Sequence, residues 1–181
     1  MAFAQPTSYT EEDYYNLPEN VRAELIGGQF YYMAAPSRMH QEILSALHAA
    51  IYNYIKSNGG SCKVYPAPFA VKISKEKDTI VEPDISVICA PDKLTDRGCT
   101  GAPDWIIEII SPGNPGHDYI RKLNLYMNSG VREYWIVNPM KSTVNVYDFE
   151  HEKGTDQYVF KDTIPVCIYE NLNINIAYLL S

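Results

Sequence analysis

The stretch APDWIIEIISP at residues 102–112 decides the fold, because it sets one glutamate in the middle of an apolar run. Glu108 has two isoleucines on each side. Nearly continuous β-branched residues are typical of a strand that is buried on both faces. Burying an unpaired carboxylate there is costly, so Glu108 needs a partner. That partner is either a metal ion or a salt bridge to Lys122 or an arginine.

A second apolar run, at residues 80–89, carries Asp84 directly after Pro83. Successive side chains of a strand point to opposite faces, so Asp84 and Glu108 converge if the two strands pair in the right register. Two converging carboxylates repel each other, and a hard divalent ion such as Mg²⁺ relieves that repulsion. The alternative is that Asp84 is an ordinary carboxylate at the start of a strand.

Lys122 lies on a helix that the sequence predicts between Gly116 and Asn128. Asp118 precedes it by four residues, which is the favourable order for a surface ion pair. In the functional interpretation its ammonium instead points at the two carboxylates. There it would hold an attacking water or neutralise charge on a phosphorane-like transition state.

The other predicted elements surround these three. They are a short helix from Thr10 to Leu17, a hairpin at 22–33 across Gly27-Gly28, a helix at 37–57, an edge strand at 64–73, a polar turn at 75–78, a loop at 91–102, a strand at 134–137, a late hairpin at 144–160 and a closing element at 174–180. The order strand, strand, helix, strand predicts an α/β or α+β sheet with a crossover helix. The length of 181 residues predicts one domain, residues 1–181.

The net charge of -7 argues against a broadly basic nucleic-acid-binding surface. The sequence still allows a local basic groove, formed by Lys72, Lys75, Lys77, Arg121, Lys122 and Arg132. The chain has fifteen tyrosines against five phenylalanines. Their rings suit half-buried positions at sheet edges, although stacking on bases or an oligomer interface would also use them.

Four cysteines, at positions 62, 89, 99 and 167, are scattered and show no zinc spacing, so we expect reduced thiols. No apolar run approaches the roughly 20 residues that a membrane span requires, and no secretion signal precedes the first helix. We therefore expect a soluble, cytoplasmic protein that has no membrane contact.

Several motifs in a fixed order carry a family resemblance. They are EPDISVI at 82–88, APDWIIEIISP at 102–112, Asp118 with Lys122 and Tyr126, and GVREYWIVNP at 130–139, with shorter motifs at 9–14, 24–28 and 36–40. Together they resemble the Uma2 (Uma-two) family of the PD-(D/E)XK, restriction-endonuclease-like superfamily. The resemblance covers nearly the whole chain. It implies a mixed central sheet flanked by helices, with an N-terminal hairpin.

The resemblance also implies a metal-dependent endonuclease that hydrolyses nucleic acid, with DNA favoured and Mg²⁺ or Mn²⁺ as cofactor. Asp84 and Glu108 would be the metal-binding acids, with the backbone carbonyl of Ile109 as a further ligand. Ile110 stands where the superfamily usually has its lysine, so the cation would come from Lys122.

Glu24 is an additional candidate that the resemblance suggests. Its alternative is a strand carboxylate in solvent or paired with Arg22. His40 and His117 could each be a ligand or a base, but lone histidines usually cap helices or lie at the surface, so the sequence leaves their roles open.

Two other function classes stay open. One is an inactive nuclease fold kept as a binding or regulatory module, which could form a homodimer. The other is a glycosidase that uses Asp84 and Glu108 as acid and base.

Overall fold

The strand that carries Glu108 lies inside a six-stranded mixed sheet. The structure is a computed structural model and describes residues 8–74, 78–111, 116–151 and 153–181, with only the backbone described for 116–118. The first half contains α1 (Glu11–Tyr15), β1 (Ala23–Ile26), β2 (Gln29–Tyr32), α2 (Arg38–Ser57), β3 (Lys63–Pro66), β4 (Val71–Ser74), β5 (Thr79–Val81) and β6 (Ile85–Ile88). The second half contains β7 (Leu94–Thr95), β8 (Gly98–Thr100), β9 (Trp105–Ile109), α3 (Gly116–Ser129), β10 (Glu133–Asn138), β11 (Thr143–Asp148), β12 (Thr155–Val159), β13 (Ile164–Pro165), β14 (Asn173–Ile174) and α4 (Ile176–Leu179).

Two six-stranded sheets organise these elements. The first, here called the central sheet, has the order β12-β11-β10-β9-β6-β3, and only the β9–β10 pair is parallel. The second, here called the hairpin sheet, has the order β2-β1-β5-β4-β8-β7. The crossover through α3 joins the parallel strands β9 and β10, as parallel pairing requires. Mixed sheets packed with helices confirm the predicted α+β class.

The middle strands β6, β9 and β10 of the central sheet are buried on both faces. Trp105, Ile107 and Ile109 of β9 share one apolar cluster with the buried face of α2, whereas Ile106 belongs to a second cluster that includes Tyr126 of α3. Strand alternation sets Glu108 on the same side as Ile106. Its carboxylate is therefore directed at α3 and the hairpin sheet.

Helix α2 forms as the apolar periodicity predicts. Its buried residues recur at three- and four-residue steps, and they include Ile43, Leu47 and Ile51. Ser37 caps the first turn by accepting a hydrogen bond from the backbone N–H of His40. This start of α2 lies beside the end of β9 and brings His40 to the candidate site described below.

Three predicted segments differ from the structure. The predicted edge strand at 64–73 is two strands in different sheets, because the chain leaves the central sheet after Pro66 and enters the hairpin sheet at Val71. The run at 80–89 divides in the same way into β5 and β6. The loop predicted at 91–102 contains β7 and β8, whose pairing with each other and with β4 is tertiary. Residues 75–77 of the predicted polar turn lie outside the described part of the chain.

The prediction of four reduced thiols is wrong for two of them, because Cys62 and Cys89 form a disulfide. They lie one residue beyond Lys63 and Ile88, which face each other across the β3–β6 ladder, so they are cross-strand neighbours. Only the strand register reveals this closeness, since 27 positions separate the two in sequence. Cys99 and Cys167 are free thiols. No helix among the described residues is both long and apolar enough to cross a bilayer.

Candidate active site

Glu108 receives two hydrogen bonds from α3 on the same oxygen. The Nζ of Lys122 lies 3.0 Å from Glu108 Oε1, and the hydroxyl of Tyr126 donates to that atom at 2.8 Å. Lys122 and Tyr126 are four residues apart, so both side chains leave α3 on one face. The helix therefore presents an ammonium and a phenol to a single carboxylate oxygen.

Lys122 also bonds to Glu24 of the N-terminal hairpin. Its Nζ lies 2.9 Å from both Oε1 and Oε2 of Glu24, and only 4% of the lysine side chain is exposed. Glu24 Oε1 additionally accepts the backbone N–H of Glu82 at 3.0 Å. The interpretation of Lys122 as a surface residue is therefore wrong. It is a buried ammonium held between two carboxylates from different sheets.

Asp84 directly precedes β6, and its side chain reaches the end of β9. Its Oδ2 accepts the backbone N–H of Ile109 at 2.7 Å. Ile85 faces Ile107 in the antiparallel β6–β9 pair, so one further step along this register sets Asp84 opposite Glu108. The predicted convergence of the two strands is observed, and it depends on the β6–β9 register.

His40 is a site residue that the sequence did not identify. Its Nε2 lies 3.1 Å from Asp84 Oδ2, and its side chain is buried. Burial alone would lower the pKa of His40, but the hydrogen bond to Asp84 and the charge of Asp84 raise it above the ordinary value. The only available signal was the helix-start motif at 36–40, which places a histidine at the beginning of α2.

The pKa of Glu108 reflects its burial and its charged neighbours. Burial raises the pKa of Glu108 above its ordinary value, and the Lys122 ammonium opposes that shift. The charges of Asp84 and Glu24 raise it further. The pKa of the Tyr126 phenol is also raised, first by burial and then by the adjacent Glu108. Glu24 and Glu108 share one ammonium while Asp84 pairs with His40, so a further cation would relieve the repulsion that raises the pKa of Glu108.

These groups border a cavity of about 810 Å³. Its polar end contains Glu24, His40, Asp84, Glu108 and Lys122. Its remaining walls come from the aromatic strand β2, the segment 33–37 after it, the start of α2, and Arg22, Ala67, Ile109, Ser111 and Arg121. The volume lies inside the roughly 300 to 1,000 Å³ typical of small-molecule pockets. The acids are thus accessible to a ligand despite their burial.

The ion pairs of Arg22 and Arg132 bear on two possibilities that the sequence left open. Arg22 does not pair with Glu24; its guanidinium donates to Glu82 at 2.8 Å, and Tyr14 donates to Glu82 at the same distance. Of the basic residues that left a local groove open, Arg132 bonds to Asp104 and Glu150, and Lys72 bonds to Glu11. Lys75 and Lys77 lie outside the described residues. The side chains of His117 and Asp118 lie outside the described residues.

The profile of the Uma2 family, described as "Putative restriction endonuclease", matches residues 11–176. This range contains every residue of the site. The chain belongs to the Uma2 family.

The chain is similar to a solved structure and, in sequence, to a further protein. A solved structure, a "putative nuclease belonging to DUF820" from Anabaena variabilis, superposes with a TM-score of 0.78 at 23% identity and covers 94% of this chain and 97% of its own. This match shows the fold. The "Uncharacterized protein slr1290" of Synechocystis sp. is 26% identical over 139 residues, which is 75% of this chain and 72% of that protein.

The oxygen atoms of this Uma2 site fit a hard metal ion. Within the described part of the chain, no three His, Cys, Asp or Glu side chains already form a metal-binding group. Asp84 accepts its hydrogen bonds through Oδ2 alone, and Glu108 accepts through Oε1 alone. Among the described residues, nothing donates to Asp84 Oδ1 or Glu108 Oε2. Two such oxygens, supplemented by carbonyl groups and water, are what Mg²⁺ or Mn²⁺ prefers.

Proposed function

We propose that this Uma2 protein is a metal-dependent endonuclease that hydrolyses phosphodiester bonds of nucleic acid, with DNA as the expected substrate. One observation carries the proposal: Lys122 is held between Glu24 and Glu108 beside Asp84, at the polar end of an open cavity. The names of the family and of its solved structural neighbour, both of the nuclease class, agree with it. A cytoplasmic location and a homodimer remain predictions from the sequence.

Asp84 and Glu108 would hold Mg²⁺ or Mn²⁺, with the backbone carbonyl of Ile109 as a further ligand. When bound, the ion would act as a Lewis acid on the phosphate and lower the pKa of a coordinated water. His40 and the N–H of Ile109 both bond to Asp84 Oδ2, which fixes the carboxylate and directs Oδ1 away from them. Such outer partners orient metal ligands.

Lys122 supplies the ammonium that the superfamily usually takes from the strand. Ile110 stands at that strand position, and the Nζ of Lys122 reaches Glu108 from α3 instead. Beside a phosphate, this ammonium would orient the attacking water or neutralise charge that develops on the phosphoryl oxygens. Glu24 would keep the ammonium in place through its two contacts of 2.9 Å.

A second candidate function is an inactive nuclease fold that binds without cleaving. The same Lys122 contacts support it, because an ammonium between Glu24 and Glu108 neutralises the carboxylates without a metal. The net charge of -7 also disfavours tight binding to a long polyanion. A scaffold of this kind should show the same thermal stability with Mn²⁺ as with EDTA, whereas a metal-binding enzyme should be stabilised.

The decisive experiment is cleavage of DNA and RNA, each single-stranded and duplex, with Mg²⁺, Mn²⁺ or EDTA. We expect EDTA-sensitive cleavage by the wild type and none by Asp84→Ala, which should remain folded by circular dichroism. Glu82→Gln is the matched control, since Glu82 lies two residues away but outside the cavity. Full metal-dependent cleavage by Asp84→Ala would refute the assignment. A wild type that cleaves none of these substrates would favour the binding module.

A further inference from the structure

Three successive aromatic residues border the same cavity as the acids. Phe30, Tyr31 and Tyr32 form most of β2, which is the edge strand of the hairpin sheet. Their side chains alternate between the two faces of the strand. Since all three border the cavity, residues of both faces of β2 contribute to its wall.

Tyr31 connects this strand to the acidic end. It faces Glu24 in the β1–β2 register, so the two side chains share one face of the sheet. The guanidinium of Arg121 lies 3.7 Å from the centroid of the Tyr31 ring, and Arg121 also borders the cavity. A stacked guanidinium is held in a fixed orientation, and arginine is well suited to phosphate. The aromatic strand and the acidic end therefore meet at an arginine.

Tyr32 lies on the opposite face of β2 from Tyr31, beside Phe30, and also borders the cavity. It is 70% exposed, and its ring centroid is 6.2 Å from that of Phe30. Beyond it, the apolar wall continues through Met33, Ala34, Ala35 and Pro36. A large ring left in water beside an apolar wall offers a flat surface for a second ring.

We propose that this aromatic strand binds an unpaired nucleobase next to the scissile phosphate, so that the substrate is single-stranded or locally unpaired nucleic acid. The inference rests on the proposed function and adds the form of the substrate. Inside a duplex the faces of each base are covered by its neighbours, so a side chain can stack on a base only where it is unpaired or extruded. A base would lie on β2 while its phosphate meets Arg121 and Lys122.

The size and charge of the molecule support a short, unpaired ligand. A cavity of about 810 Å³ has the volume of a small-molecule pocket, which suits one or two nucleotides rather than a duplex. Duplex binders neutralise many phosphates at once, and a net charge of -7 opposes that. Stacking on aromatic rings supplies affinity for single strands without such charge.

The test measures the fluorescence anisotropy of a labelled mixed-sequence oligonucleotide, single-stranded or as a duplex of equal length. EDTA prevents metal-dependent cleavage, and a parallel series uses Mg²⁺ in the Asp84→Ala background. We expect tighter binding of the single strand, and about tenfold weaker single-strand binding by Tyr32→Ala. Tyr32→Phe, which keeps the ring, should recover most of the affinity. Tyr178→Ala is the control, because Tyr178 is 77% exposed on α4 and does not border the cavity.

The outcomes separate this inference from the proposed nuclease. Cleavage of duplex and single strands at equal rates would overturn the inference and leave the nuclease intact. Single-strand binding that depends on Tyr32, without cleavage by the wild type, would support the inference and refute the nuclease. Absence of single-strand binding would overturn the inference. It would equally be overturned if Tyr32→Ala changed only the oligomeric state seen by light scattering, since Tyr32 would then belong to a contact between copies.

Discussion

Two buried glutamates on neighbouring parallel strands have opposite surroundings. Glu108 lies on β9 and Glu133 at the start of β10, and both carboxylates are removed from bulk water. Glu133 uses both of its oxygens, because the Trp135 indole N–H donates to Oε1 at 2.6 Å and the Ile168 N–H donates to Oε2 at 3.0 Å. Among the described residues, the donors to Glu108 all bond to one oxygen, and Glu108 borders the cavity. Burial alone therefore does not distinguish the two carboxylates, whereas an oxygen without a donor at a cavity is what the proposed metal site requires.

The groups that oppose the rise in pKa also differ between Glu108 and Glu133. Burial raises the pKa of both. The ammonium of Lys122 opposes the shift at Glu108, and neutral donors oppose it at Glu133, namely the backbone N–H groups of Cys167 and Ile168 and the Trp135 indole. A complete set of neutral donors stabilises a carboxylate in one place. An ammonium shared between Glu108 and Glu24 leaves Glu108 with capacity to bind a further cation.

The largest expected effect comes from making the same substitution at both glutamates. Glu108→Ala should reduce metal-dependent cleavage by at least about a hundredfold, since it removes a proposed metal ligand. Its free energy of unfolding should fall by about 1 to 3 kcal/mol, because the buried Tyr126 hydroxyl loses its acceptor while Lys122 keeps Glu24. Glu133→Ala should instead lower the free energy of unfolding by about 2 to 5 kcal/mol, because two buried donors lose their acceptor. Urea unfolding and cleavage assays on both variants give the comparison.

The distinction between the two glutamates would be refuted if folded Glu133→Ala lost cleavage as completely as Glu108→Ala. It would also be refuted if Glu108→Ala were the less stable of the two variants. Activity must therefore be expressed per folded molecule, with the folded fraction taken from the unfolding curve at the assay temperature.

The next effect concerns the ammonium that distinguishes the two sites. Lys122→Met leaves Glu24 and Glu108 facing each other without a cation, and breaking a buried ion pair costs about 3 to 5 kcal/mol. Mn²⁺ should restore more stability to this variant than it adds to the wild type, because the carboxylates still need a counter-charge. Thermal unfolding with Mn²⁺ or EDTA measures this. Lys141→Met is the control, since Lys141 is exposed and outside the cavity. An equal response to Mn²⁺ in all three proteins would show that Mn²⁺ does not supply the counter-charge that Glu24 and Glu108 lose with Lys122.

Much of the site could be predicted from the sequence because its signals are local. A glutamate inside an isoleucine run and an aspartate at the head of another apolar run are anomalies in themselves, and the structure brings Asp84 and Glu108 together with Lys122 and Glu24. The role of Glu24 depends on where the hairpin packs, which no local pattern states. His40 was missed for the same reason, since a histidine in the first turn of a helix is ordinary until that turn meets Asp84.

The fold shows the same division between local and tertiary information. The apolar periodicity of α2 determines a long helix with little help from the rest of the chain. Strands β7 and β8 have two and three residues, so only their pairing with β4 and with each other makes them strands. The disulfide between Cys62 and Cys89 likewise follows from the β3–β6 register and from no cysteine spacing.

The smallest expected effect is a pH dependence that belongs to Glu133. Its folded-state pKa is raised by burial above the unfolded value of about 4.3, so the folded protein holds this proton more tightly. The resulting stability is complete below about pH 4 and is lost as the pH rises through the folded pKa, by at most about 1.4 kcal/mol per pH unit. Glu133→Gln cannot release a proton, so its cost relative to the wild type should be largest at low pH and shrink toward neutrality. Urea unfolding of both proteins from pH 4 to 7 measures the difference, in which the titration of Glu108 cancels. Parallel stability curves would show that the folded and unfolded proteins bind the same number of protons at Glu133, and would refute a folded-state pKa raised by burial.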